Sequence, residues 1–147
     1  MKGPALGIAI AIAIVACAGP QFRQPPWAER QHKLDKMDAR LAEIRTWRHE
    51  RGIRADMPHA EVVQWIPLTL QKAENVCAAN HPVPKTCSEI CILADDICDN
   101  AETICSIADE LGKDDKEGQD RCASAKASCH DAKQRCCACS AAPEPTP

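Results

Sequence analysis

Between residues 28 and 51 the apolar positions Leu34, Met37, Leu41, Ile44 and Trp47 recur at steps of three and four, with charged or polar residues between them. One face of a 3.6-residue helix carries such a series, so an amphipathic helix is predicted over 28–51, stopped by Gly52. Its stripe is narrow, close to a coiled-coil seam, and calls for a partner helix of its own chain or of a second molecule. Further on, Asp56 is the expected cap of a helix starting near Pro58 and running through Val62, Val63, Trp65 and Ile66. Pro67 interrupts that run, and Leu68, Ala73, Val76 and Cys77 resume it, which predicts a kinked helix or two short ones ending near Asn80. The segment 81–85, His-Pro-Val-Pro-Lys, cannot continue a helix and reads as a loop.

From residue 86 the pattern becomes a repeat. Thr86 and Glu89 have the spacing of a capping box, and behind them one unit recurs three times: Ile90-Cys91-x-x-Ala94, Ile97-Cys98-x-x-Ala101 and Ile104-Cys105-x-x-Ala108. After a charged reversal within 113–120, Cys122-x-x-Ala125, Cys129-x-x-Ala132 and Cys136 run with the same period. Seven residues are nearly two turns, so each set of three cysteines stands on one helix face at intervals of about 10.5 Å. The numbers of Cys105 and Cys122, Cys98 and Cys129, and Cys91 and Cys136 share the sum 227. A single fold-back near residues 113 and 114 therefore brings all three pairs into register. An antiparallel hairpin is predicted, with helices over about 87–111 and 116–138 and a ladder of bridges at Cys91–Cys136, Cys98–Cys129 and Cys105–Cys122. Disulfides need Cα atoms within about 4.4–6.8 Å, and the alanines facing one another on the two helices permit that approach.

Composition supports a clasp more than a large core. With one Phe, no Tyr and three Trp, the chain has little bulky apolar material, whereas eleven cysteines can supply cross-links. Residues 83–147 hold seven Lys/Arg against thirteen Asp/Glu. Within the hairpin, Asp95, Asp96, Asp99, Glu102, Asp109 and Glu110 on its first helix are expected to attract Arg121, Lys126, Lys133 and Arg135 on its second. No basic patch interleaved with aromatics is present, so nucleic acid is not an expected partner.

What such cysteines do depends on the compartment: disulfides outside the cytoplasm, metal or redox chemistry within it. The N-terminus points outward. Lys2 is followed by an apolar run from Ala5 to Val15, too short to span a bilayer and backed by Pro20, which has the form of a signal peptide over 1–16. Ile14-Val15-Ala16-Cys17 resembles the lipobox of bacterial lipoproteins. That resemblance implies that Cys17 carries a lipid and becomes the first residue of the mature chain, anchored in the envelope, and Ala18 fits forwarding to the periplasmic side of an outer membrane. Residues 17–27, rich in proline, then read as a tether, 28–139 as one helical domain with its cysteine-rich hairpin over 86–139, and 140–147 as a disordered Pro-rich tail.

Setting Cys17 aside leaves ten cysteines, an even number. Cys87 with Cys139 would continue the ladder and Cys77 with Cys137 would staple the preceding helix to it, although Cys137 and Cys139 can exchange partners in this scheme. The rival chemistry is a thiolate site for Zn or Cu(I) at Cys87, Cys91, Cys136 and Cys139, at the open end of the hairpin. Cysteine-lined bundles of this kind resemble the bacterial copper-storage proteins, whose Cys-x3-Cys spacing occurs here only once. Cys136-x-x-Cys139 lacks the strand–helix context of a redox motif, the five histidines are scattered, and no triad, phosphate loop or acid pair is recognisable. The expectation is an all-α, disulfide-laddered bundle without enzymatic activity or cofactor. It resembles cysteine-rich bacterial lipoproteins of unassigned activity, which implies a structural or protein-binding role, with self-association or a protein partner expected at helix 28–51.

Overall fold

A computed structural model describes residues 25–77 and 82–141. The predicted leader, Cys17 with its tether as far as residue 24, Asn80 and the tail beyond Ala141 lie outside the described residues. Within them the chain forms α1 (Pro26–Glu50), α2 (His59–Trp65), α3 (Leu70–Glu74), a 3-10 turn (Lys85–Cys87), α4 (Ser88–Leu111) and α5 (Lys116–Ala141), with no strand among the described residues. The predicted all-α, disulfide-stapled architecture is the one observed.

The first helix starts two residues earlier than the sequence suggests. Pro26 takes a first-turn position, where its missing N–H removes no hydrogen bond, and the Ala28 and Glu29 amides donate to Pro25 O. Pro26 and Trp27 are therefore helical and not part of the tether. At the other end Gly52 adopts φ 66°, and its amide donates to His49 O while that of Ile53 donates to Arg48 O, both at 2.9 Å. This is a Schellman stop, which needs the left-handed conformation that glycine reaches without strain. Four of the five stripe residues of α1 are buried, Leu34, Met37, Leu41 and Ile44 being each at most 5 % exposed, and Trp47 is half-buried. The four buried residues pack against α4 and α5 of the same chain, so that part of the seam is filled internally.

Pro67 does break the second amphipathic run in two. Asp56 is not its cap; the Asp56 carboxylate accepts from Arg45 Nε at 2.5 Å, and Pro58 occupies the N-cap position of α2 with no side-chain bond. The cap that does form is Thr69, whose hydroxyl accepts from the Lys72 amide at 3.3 Å at the start of α3. This helix stops at Glu74, well before Asn80, and the chain turns so that Cys77 reaches Cys137.

The expected capping box at Thr86 and Glu89 does not form. The chain enters α4 through the 3-10 turn, with Cys87 at the N-cap and its sulfur held in a bridge, while Glu89 accepts from Arg51 at 3.1 Å. The reversal is also shorter than 113–120. Gly112 at φ 100° ends α4, and Asp115 caps α5 by accepting from the Gly118 amide at 2.9 Å. Gln119 bridges the two ends, its amide nitrogen donating to Ala108 O and Gly112 O at 3.2 Å each. Helix α5 continues to Ala141, so Ser140 and Ala141 belong to it and not to the tail.

Cross-links fix the directions. Lys33 pairs with Glu110, Arg40 Nη1 donates to Asn100 and Arg51 pairs with Glu89, so α1 runs antiparallel to α4. Arg30 pairs with Glu117, Asp38 with Arg121 and Arg48 with Asp131, so α1 runs parallel to α5. Helices α2 and α3 lie against α5, which touches every other element. No described helix is long and apolar enough to cross a membrane.

Candidate functional site

Five disulfides form one continuous clasp. Cys91–Cys136, Cys98–Cys129 and Cys105–Cys122 each hold their Cα atoms 4.7 Å apart. At the open end Cys87–Cys139 spans 5.8 Å and Cys77–Cys137 spans 5.5 Å. All ten cysteines between Cys77 and Cys139 are thus placed in pairs. Three of the five bridges leave the single stretch Cys136-Cys137-Ala138-Cys139, reaching α4, the α3 exit and the 3-10 turn, so one helix end ties together three elements.

The close approach has a steric cause. Ala94, Ala101 and Ala108 of α4 and Ala125 of α5 are completely buried, and Ala132 is nearly so. With only methyl groups between them, the helix axes come near enough for cysteine side chains to meet at every second turn. Ile97 and Ile104 are buried beside this seam, and Ile90 is half-buried. Near the reversal Gly118 allows the same closeness, because a Cβ there would stand 3.0 Å from Leu111 Cδ1 and 3.7 Å from Ala108 Cα.

Charge acts differently from the expectation. Of the four cations assigned to the hairpin's second helix, only Lys133 reaches an acid of α4, pairing with Asp95. Arg121 forms a two-pronged bond to Asp38 of α1, at 2.7 and 2.9 Å, and lowers that carboxyl below its usual range. Arg135 pairs within its own helix with Asp131. Lys126 is buried and donates to Leu68 O at 2.6 Å, and burial pushes its ammonium pKa down against the weaker pull of Asp109. A long cation on a helix reaches whichever acceptor its face presents, and three of these four bond outside α4.

The most deeply buried ion-pair partner among the described residues is Arg48, which the apolar pattern did not reveal. Its side chain is 2 % exposed; Nε donates to Arg54 O and Nη1 to Asp131 Oδ2, both at 2.9 Å. Burial raises the Asp131 pKa, but bonds and charges from Arg135 and Arg48 outweigh it and leave the carboxyl below its ordinary value. Asp115 is likewise held low, first by Arg30 and then by the Gly118 amide. Beside Asp131, His130 packs on the buried Trp65 with ring centroids 4.6 Å apart and the ring planes tilted by 47°. It is therefore half-buried, and burial lowers its pKa against the opposing pull of Asp131.

The four cysteines of the metal alternative are bonded as Cys87–Cys139 and Cys91–Cys136, and among the described residues no group of three or more His, Cys, Asp or Glu is placed to hold a metal ion. Thiolate is the ligand form of cysteine, so a metal would require these bridges to open. The fold and clasp together define a small all-α bundle stapled by disulfides. Comparison with protein-family models, with curated proteins and with solved structures finds no match.

Proposed function

We propose that this chain is a non-enzymatic, exported module of a bacterial envelope, lipid-anchored at Cys17 on the periplasmic side of the outer membrane, whose stapled bundle serves structural or protein-binding work. The pairing of ten cysteines carries the reading. Bridges in that number persist in oxidising compartments and are rare where glutathione and thioredoxin keep thiols reduced. They absorb every cysteine except Cys17, the one that the lipobox resemblance assigns to the anchor. The rigid clasp also suits a displayed surface: three cross-links hold α4 to α5 and two more tie the 3-10 turn and the α3 exit to the same helix, without a large aromatic core.

Labelling of producing cells with a palmitate analogue tests the anchor. Incorporation that disappears in Cys17→Ala, with the protein moving from the membrane to the soluble envelope fraction, is the expected result. An unlabelled cytoplasmic protein with free thiols would overturn both the export and the clasp.

A further inference from the structure

At the end of the bundle opposite the hairpin reversal, α1 and α4 part to leave a cleft of about 380 Å³. Its apolar floor is Trp47 of α1 with Ile92 and Leu93 of α4; Ile92 is 57 % exposed, although aliphatic residues of its size elsewhere on α4 are buried or half-buried. Its rim carries Glu50, Glu89 and Asp96 against the single cation Arg51, and that cation is already bound to Glu89 at 3.1 Å. Glu50 and Asp96 have no cationic partner among the described residues. We propose that this cleft is the docking site for a basic protein segment, which lays the aliphatic stem of a lysine or arginine along Trp47 and Ile92 and sets its charge between Glu50 and Asp96.

The chemistry is that of a cation over an indole face joined to carboxylates. Long basic side chains bury their methylene stems on apolar surface while the head stays with the acids, and tryptophan is the ring that attracts such heads best. Charge complementarity selects the occupant: an anionic or purely apolar segment would leave the two free carboxylates facing it unpaired. The cleft also lies at the end of α1 farthest from the N-terminal tether, so a membrane-anchored molecule would present it outward. The proposal deepens the protein-binding reading and rests on it.

The test uses the intact oxidised protein and short peptides carrying two lysines flanked by leucines, beside counterparts with norleucine or glutamate in place of lysine. Titration followed by the three indole N–H resonances should move Trp47 alone, with saturable one-to-one binding. Trp47→Ala and Asp96→Asn should each weaken binding severalfold, up to about tenfold, while Asp109→Asn, outside the cleft on the same helix, should leave it unchanged. Asp96→Asn is at an exposed position and keeps the test decisive if Trp47→Ala unfolds. Equal affinity for the norleucine peptide, equal loss in Asp109→Asn, shifts at all three indoles or no binding would each overturn the proposal. None of these outcomes depends on palmitate labelling, so failure of the anchor and failure of the cleft are read separately.

Discussion

Asp131→Asn isolates the buried ion pair. The substitution keeps the shape of the side chain and removes its charge, leaving the Arg48 guanidinium almost fully buried with a neutral amide where its anion stood. Removing one partner of a buried pair costs about 3–5 kcal/mol. Asp131 is 23 % exposed and the amide oxygen can still accept one bond, which lowers the expectation to about 2–3 kcal/mol. For a domain of this size that is a fall in Tm of roughly 10 °C, measured by far-ultraviolet circular dichroism with the disulfides intact. Asp95→Asn, which removes a largely exposed partner of Lys133, should cost at most about 1 kcal/mol. The pH dependence gives a second reading. The folded Asp131 pKa lies below that of the unfolded chain, so in the acid range the unfolded state binds more protons. The contribution is complete above the unfolded value of about 3.9 and is lost as pH falls through the folded one. The gap between wild type and Asp131→Asn should therefore close in strong acid. Replacing both partners, as Arg48→Met with Asp131→Leu, should cost less than the single change. A loss below about 1 kcal/mol near neutral pH, or a gap that does not change with pH, would refute the assignment of Arg48 as a buried charge that depends on Asp131.

Other outcomes follow from the same structure. Under non-reducing conditions the mature protein should weigh ten hydrogens less than its fully reduced form, as five bridges require; free thiols with stoichiometric Zn or Cu would sink the clasp. Replacing Cys98 and Cys129 together by alanine removes a closure that, with the neighbouring rungs intact, spans only seven residues on each helix, and should cost about 2–3 kcal/mol in denaturant titration. Ala101→Leu forces a larger side chain into the seam where Ala101 is completely buried, and should cost about 1–3 kcal/mol and yield mispaired disulfides on oxidative refolding; unchanged stability and pairing would show that the alanine seam does not set the approach. Trp65 fluorescence should fall as His130 gains its proton, with a midpoint below the ordinary histidine value of about 6.5, because burial lowers it. Loss of that transition in His130→Gln identifies the quencher, and a midpoint at or above the ordinary value would contradict the burial.

Periodicity by itself determined the all-α class, the interior stripe of α1 and the hairpin, because the mirror spacing of Cys91, Cys98 and Cys105 with Cys122, Cys129 and Cys136 admits one fold-back and the alanines three positions beyond permit it. The break at Pro67 was equally local, following from a missing N–H. Features that depend on which groups meet across the bundle came only from the tertiary structure. Thr86 and Asp56 have the sequence of caps, but one side chain lies beside a bridged cysteine and the other carboxylate is engaged by Arg45, so Asp115 and Thr69 are the residues that cap. Arg48 reads as one more charge on a polar face, and only the placement of α5 beside α1 makes it an interior residue with Asp131 as its counterion. The same placement gives Arg121 an acceptor on α1, and the packing of α1 on α4 brings Trp47 and Ile92 together in one cleft. Spacing along one chain fixes which side chains share a face; which face meets which, and which charges are cut off from water, is decided by packing.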